Sequence, residues 1–243
     1  MPAARNAQFL CDRVRFYTQM YDRSKLRDGF DINDNYQADI EILPSINSAL
    51  RTMLTTGYIK CSFFKSVVAG TYEYTLPPGA GEVTYVHYKG LPLTPTSVGK
   101  LDRTLPGWQN NIRSGTPTLW YNAKSDVIGL YCAPYLTDSV GTYSLEIMAE
   151  ALTDDLTAPE SVPSRLPHQF HEDVAIGASC EILGALGDAA SSARLAALMP
   201  RWDSPDETKP GAIQRLREFA QRKDTNAVQQ ITPTNYRTGR RWR

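Results

Sequence analysis

The sequence predicts an α+β protein: a helical bundle interrupted by an inserted antiparallel β domain, a sandwich or small barrel, and followed by an extended C-terminal tail. Three observations predict it. Apolar residues recur at helical spacing up to about residue 60, at a spacing near two through the middle of the chain, and at helical spacing again from about Ser161. The expected domains are residues 1–62 and 160–224 as a discontinuous helical bundle, 63–159 as the inserted β domain, and 225–243 as a docking tail. An insertion of this kind needs its two ends close in space.

The first helix is expected from Asn6 to Tyr21, with Phe9, Phe16 and Met20 on its apolar side. Asp22 to Asn35 is charged and aperiodic, a loop. A second helix is expected from Tyr36, placing Ile40, Leu43, Ile46, Leu50 and Leu54 on one side. Pro44 belongs in its first turn or marks its true start, and Gly57 stops it. Five or six strands follow, in the runs Ser66–Pro78, Glu82–Gly90, Thr118–Tyr121, Val127–Tyr131 and Thr142–Met148, separated by Gly, Pro, Asn and Asp. Leu166-Pro167 then leads into a helix through Phe170, Val174, Ala178 and Ile182. Asp188 to Met199 is Ala- and Leu-rich, a strong helix that Pro200 ends. Pro210-Gly211 opens a last helix, Ala212 to Lys223, with Ile213, Leu216 and Phe219 apolar. From Thr225 the periodicity is lost.

Composition bounds the function. The chain has 243 residues, 42% hydrophobic and 21% charged, which is globular rather than disordered. Lys plus Arg and Asp plus Glu stand at 26 each, which argues against a wholly basic nucleic-acid binder. The 13 Tyr outnumber the 7 Phe, a bias that suits sheets and wet interfaces. Cys11, Cys61, Cys132 and Cys180 are too far apart for a zinc knuckle and are read as reduced and mostly buried. The N-terminus shows no signal-peptide h-region, and the most apolar stretch, Val174 to Ala190, holds Glu181 and Asp188 and reads as a packed helix.

Residues with possible chemistry are few. His168 and His171 stand three apart beside Glu172, so a metal is imaginable, but there is no HExxH and a polar first helical turn explains them. His87 reads as a cross-strand partner. Glu150, Asp154 and Asp155 could act as paired carboxylates, yet such groups near a strand end are usually solvated. No GxSxG and no cysteine in a basic pocket is present, and Gly79-Ala80-Gly81 is a turn rather than a phosphate loop. No catalytic residue, metal or cofactor is assigned. The sharpest feature is the tail: Tyr236, Arg237, Arg240, Arg241, Trp242 and Arg243 combine the guanidinium and aromatic groups that anchor protein interfaces. The neutral body favours a protein partner over nucleic acid.

The order of motifs resembles the head-to-tail adaptor (connector) proteins of tailed bacteriophages. It rests on Gly70-Thr71-Tyr72-Glu73-Tyr74-Thr75-Leu76-Pro77, Leu101-Asp102, Trp108, Ser114-Gly115-Thr116-Pro117 with Trp120-Tyr121, Ile128-Gly129-Leu130-Tyr131-Cys132-Ala133-Pro134, and Leu166-Pro167-His168-Gln169-Phe170-His171-Glu172 before an Ala-rich helix. The likeness covers roughly residues 36 to 205, and Cys132 stands where the commoner form has proline. It implies a structural virion protein of the neck, made in the host cytoplasm, and a ring, usually of twelve copies, between the portal and the tail or nozzle protein. It further implies that the C-terminal tail docks on the portal and that genomic DNA passes through the lumen without specific binding, with no membrane involved. Two other readings are a virion-associated peptidoglycan hydrolase, using the Glu150/Asp154/Asp155 and His168/His171/Glu172 groups, and a carbohydrate- or host-binding β module.

Overall fold

The computed structural model describes residues 5–20, 25–30, 40–110, 112–139, 144–204, 206 and 208–231. In chain order the elements are α1 (Ala7–Thr18), β1 (Leu26–Arg27), β2 (Ile40–Glu41), α2 (Ile42–Thr56), β3 (Lys60–Lys65), β4 (Glu73–Thr75), β5 (Ala80–Tyr88), β6 (Leu91–Pro92), β7 (Thr94–Pro95), α3 (Val98–Thr104), β8 (Ser114–Gly115), β9 (Leu119–Lys124), β10 (Val127–Tyr131), β11 (Ala133–Pro134), β12 (Leu145–Ala151), α4 (His171–Leu186), α5 (Ala189–Trp202) and α6 (Ala212–Ile231). The class is α+β. The chain divides into a helical unit (Met1–Tyr58, Thr157–Val162, Pro167–Arg243) and a β unit (Ile59–Leu156, Pro163–Leu166).

In the helical unit, α4 is the central element and packs against α1, α2 and α5. Its Val174, Ala175, Ile176, Ala178, Ile182 and Leu183 are all buried, so it is apolar nearly all round. Gly177 lets the Trp202 indole of α5 lie against its backbone; a Cβ there would stand 2.5 Å from the ring. The face of α1 differs from expectation. Its buried seam is Ala7, Leu10, Cys11, Val14 and Thr18, while Phe16 is 53% exposed. Small and branched residues allow close approach to α4, and the rings of Phe16 and Tyr17 fall on the flank beneath the Arg13 guanidinium. The helix also stops at Thr18 rather than Tyr21. Gln19 turns left-handed (φ 54°), and the Met20 amide donates back to the Arg15 carbonyl at 3.2 Å.

Helix α2 begins at Ile42, not Tyr36; residues 31–39 lie outside the described part, and Ile40 pairs with Leu26 as a parallel strand. Pro44 sits in the first turn, where no amide is needed, and Leu43, Ile46, Leu50 and Leu54 are buried. Gly57 closes the helix through its amide to Met53 at 2.8 Å and leaves room for Leu216 of α6. Pro200 does not end α5, which runs on to Trp202. In the last turn its ring costs only one amide bond, and the end comes at Asp203, whose amide donates to Met199. Helix α6 also outlasts its apolar period and continues through Ile231, so residues 225–231 are helical rather than extended. Ala, Gln, Arg and Lys carry it by propensity, and the next breaker is Pro233.

The β unit is a sandwich of two four-stranded sheets, ordered β3-β12-β5-β6 and β4-β10-β9-β7. Phe63, Val86 and Ile147 of the first meet Tyr74, Trp120, Ile128 and Leu130 of the second in one core. Most pairings are antiparallel, but β7 with β9 and β8 with β11 are parallel, so the unit is mixed rather than purely antiparallel. Of the run Ser66–Pro78 only β4 pairs; Ser66–Thr71 is loop. An excursion that the sequence reading gave no element covers the outside of the second sheet. It consists of α3, capped by Ser97, and a 3-10 turn at Trp108–Asn110. Leu101 and Trp108 of this excursion pack on Tyr121 of β9, and the Trp108 indole N–H donates to Asp102 at 2.8 Å.

Candidate functional site

Glu172 and Asp173 follow His171 in the first turn of α4, where carboxylates offset the helix dipole. Glu172 accepts from the Tyr17 hydroxyl at 2.7 Å and pairs with Arg13. The Tyr17 hydrogen bond and then the Arg13 guanidinium hold its carboxyl below the usual range. A hydrolytic general acid needs the opposite shift. His171 is fully buried, with its ring 4.8 Å from that of His168, whose carbonyl accepts from Arg5. Among the described residues no three His, Cys, Asp or Glu side chains gather as a metal set. Asp173 faces Arg215 of α6 at 2.9 Å; burial pushes its carboxyl up against the pull of that guanidinium.

The second carboxylate group of the sequence reading is dispersed. Glu150 stands on β12 opposite Lys60. Asp154 accepts from the Arg165 amide at 2.9 Å and the Ser164 hydroxyl at 3.0 Å, and Asp155 accepts from Thr153. The Arg165 guanidinium lies 4.9 Å over the Phe63 ring and donates to the carbonyls of Pro78, Gly79 and Thr153. These contacts tie the segment around Arg165 to the turn before β5. His87 stands directly across from Glu146, as a cross-strand partner at 3.8 Å. No disulfide joins the four cysteines; burial pushes the Cys180 thiol up to about 11 and Cys11 higher still, away from reactivity. Pro78–Gly79 is the turn, and Ala80 already belongs to β5. The proposed docking residues Tyr236, Arg237, Arg240, Arg241, Trp242 and Arg243 lie outside the described residues.

What the fold presents instead is surface for contact. On the outer side of the β3-β12-β5-β6 sheet, Phe64, Glu146 and His87 form one cross-strand row, and Ser62, Met148 and Tyr85 the next. Phe64 is 56% and Tyr85 53% exposed. At one place in the β unit two loops are fastened together: Val67 N–H donates to Asp138, Ala69 N–H to Thr137 and Gly70 N–H to the Pro134 carbonyl. They present Val68, Tyr135 and Leu136, each about half exposed. The sequence pattern puts His87 in a cross-strand pair but assigns none of these residues to a contact surface. The available signal was Phe63-Phe64: consecutive aromatics on a strand place one ring in the core and one outside.

A family model described as SU10 adaptor protein matches residues 10–233. No curated protein matches the chain.

Proposed function

The chain belongs to the SU10 adaptor protein family, and from that premise we propose that it is the neck adaptor of a tailed phage. The family makes it a structural phage adaptor, a virion component that contacts other head or tail proteins. In the finer reading, copies of the chain form a ring between portal and tail. The C-terminal segment, through Tyr236, Arg237, Arg240, Arg241, Trp242 and Arg243, docks on the portal, and DNA passes through the lumen without specific binding. A ring of twelve copies matches the resemblance in the sequence. The observation that carries the reading is the family match over nearly the whole chain. It agrees with a fold whose candidate catalytic carboxylates are held in structural contacts, while large apolar side chains stand exposed on the β unit. Among the described residues no helix is long and apolar enough to cross a membrane.

The experiment is deletion of Thr232–Arg243, followed by capture on immobilised portal rings. Loss of capture with an unchanged thermal transition supports the tail as the docking element; unchanged capture overturns that assignment. A cell-wall clearing assay on the purified chain tests the hydrolase reading, which requires clearing that Glu172→Gln or Glu150→Gln abolishes.

A further inference from the structure

We infer that the two outer faces of the β sandwich are the two halves of one head-to-tail contact between copies of this chain. The inference rests on the ring reading above and names the surfaces that would close it.

One face is open. Phe64 on β3, Met148 on β12 and Tyr85 on β5 form a diagonal apolar stripe across three paired strands. Carboxylates flank the stripe, Glu146 and Glu150 on β12 and the exposed Glu82 on β5, against Lys60, the lysine that β3 sets on this face, and His87 beside Glu146. Glu146 is fixed in place by the Ser62 hydroxyl at 2.7 Å. The face is aromatic and acid-weighted.

The other face is the excursion on the second sheet. It exposes Lys100, Arg103 and Leu105, the last at 40%. Asp102, the one carboxylate of residues 97–112, accepts the Trp108 indole N–H. The excursion is cation-weighted, with Leu105 its large exposed apolar side chain, while Glu73 of β4 is exposed on the same side of the sheet near Tyr121. Because the sheets meet through a shared core, and Tyr121 of β9 takes Leu101 and Trp108 on its far side, the two faces lie on opposite sides of one unit.

Opposite, different and complementary patches are what a heterologous ring contact needs, since each copy then offers one patch to each neighbour. Two open faces meeting about a two-fold axis would set carboxylates against carboxylates, which costs affinity. The same carboxylates repel phosphate, so the open face is not a nucleic-acid surface. The occupant is therefore the excursion of a second copy.

The test uses the full chain and four positions, the exposed Glu82, Lys100 and Arg103 and the half-buried Glu150. Glu82→Lys with Glu150→Lys makes both faces cationic, and Lys100→Glu with Arg103→Glu makes both acidic. Self-association is read by sedimentation at high protein concentration and by zero-length carbodiimide crosslinking of mixed light and heavy-isotope copies. The expected result is intermolecular links from Lys100 to Glu82, Glu146 or Glu150. Association is expected to weaken about tenfold in either double variant, and the four-fold variant, with both charges exchanged, restores it. Absence of those links, or equal association of the single-face variants and wild type, overturns the inference. Portal capture of each variant is measured separately. Capture of isolated copies without lateral links refutes this contact alone, and lateral links without capture refute the portal reading alone.

Discussion

The Tyr17 hydroxyl donates to Glu172 at 2.7 Å, joining α1 to the first turn of α4 across a sequence separation of 155 residues. The bond is stronger to the ionised carboxylate than to the neutral acid, and Arg13 favours the same ionised form. The folded-state pKa of Glu172 therefore lies below its ordinary value of 4.5. Its stabilising effect is complete above about pH 4.5 and is lost as the pH falls through the folded value. Glu172→Gln is expected to cost about 1 kcal/mol at neutral pH, discounted for partial exposure. The gap between variant and wild type should close on acidification. Chemical denaturation at pH 7 and at a series of pH values descending below 4.5 measures both arms.

Two glycines should respond in opposite directions. At Gly129 a Cβ would stand 2.0 Å from the Tyr121 ring, which is itself locked edge-on to Trp108 at 5.3 Å. Gly129→Ala is expected to destabilise by about 3 kcal/mol. At Gly99, in the first turn of α3, nothing lies within 4 Å of a Cβ. Gly99→Ala should stabilise by about 0.5 kcal/mol through the unfolded chain. Denaturant midpoints of the two variants, compared with wild type, check the pair.

Asp138 fastens the two exposed loops. Burial alone would raise its carboxyl, but the Ser144 hydroxyl and the amides of Val67 and Ser144 outweigh that and hold it down. Asp138→Ala is expected to cost about 2 kcal/mol, since it leaves two amides short of an acceptor. With the folded value lowered, this stabilisation is also present above the unfolded pKa and lost toward acid. Amide exchange at Val67 and Ser144 should rise in the variant at neutral pH.

Regular periods were legible in the sequence and exceptions were not. Leu43, Ile46, Leu50 and Leu54 marked the buried side of α2 because their spacing alone specifies it. The expected side of α1, Phe9, Phe16 and Met20, differs from the buried one because close packing on α4 selects Ala7, Cys11 and Val14. Helix α3 contributes one buried residue, Leu101, too few to show a period. His171 and Glu172 were visible as a cluster. The role of Glu172 was not, since it is set by Arg13 and Tyr17 from another helix. The open sheet face required the β12 register, which pairs Phe64 with Glu146 and Tyr85 with Met148 and is a property of three strands together.

The tail is expected to act separately from the fold. Deleting Thr232–Arg243 should leave the thermal transition within about 1 °C, because the described core of the helical unit ends with Ala212, Ile213 and Leu216 on α6. Charge reversal of Arg237, Arg240, Arg241 and Arg243 together should abolish portal capture to the same degree as deletion.

Whether the chain assembles on a portal is read from the mass of the purified protein, alone at low concentration and mixed with candidate portal rings, by light scattering or native mass spectrometry. A monomer alone is expected, and a single large complex with portal that holds a fixed number of copies per ring. A chain that stays monomeric with every portal ring offered would contradict it.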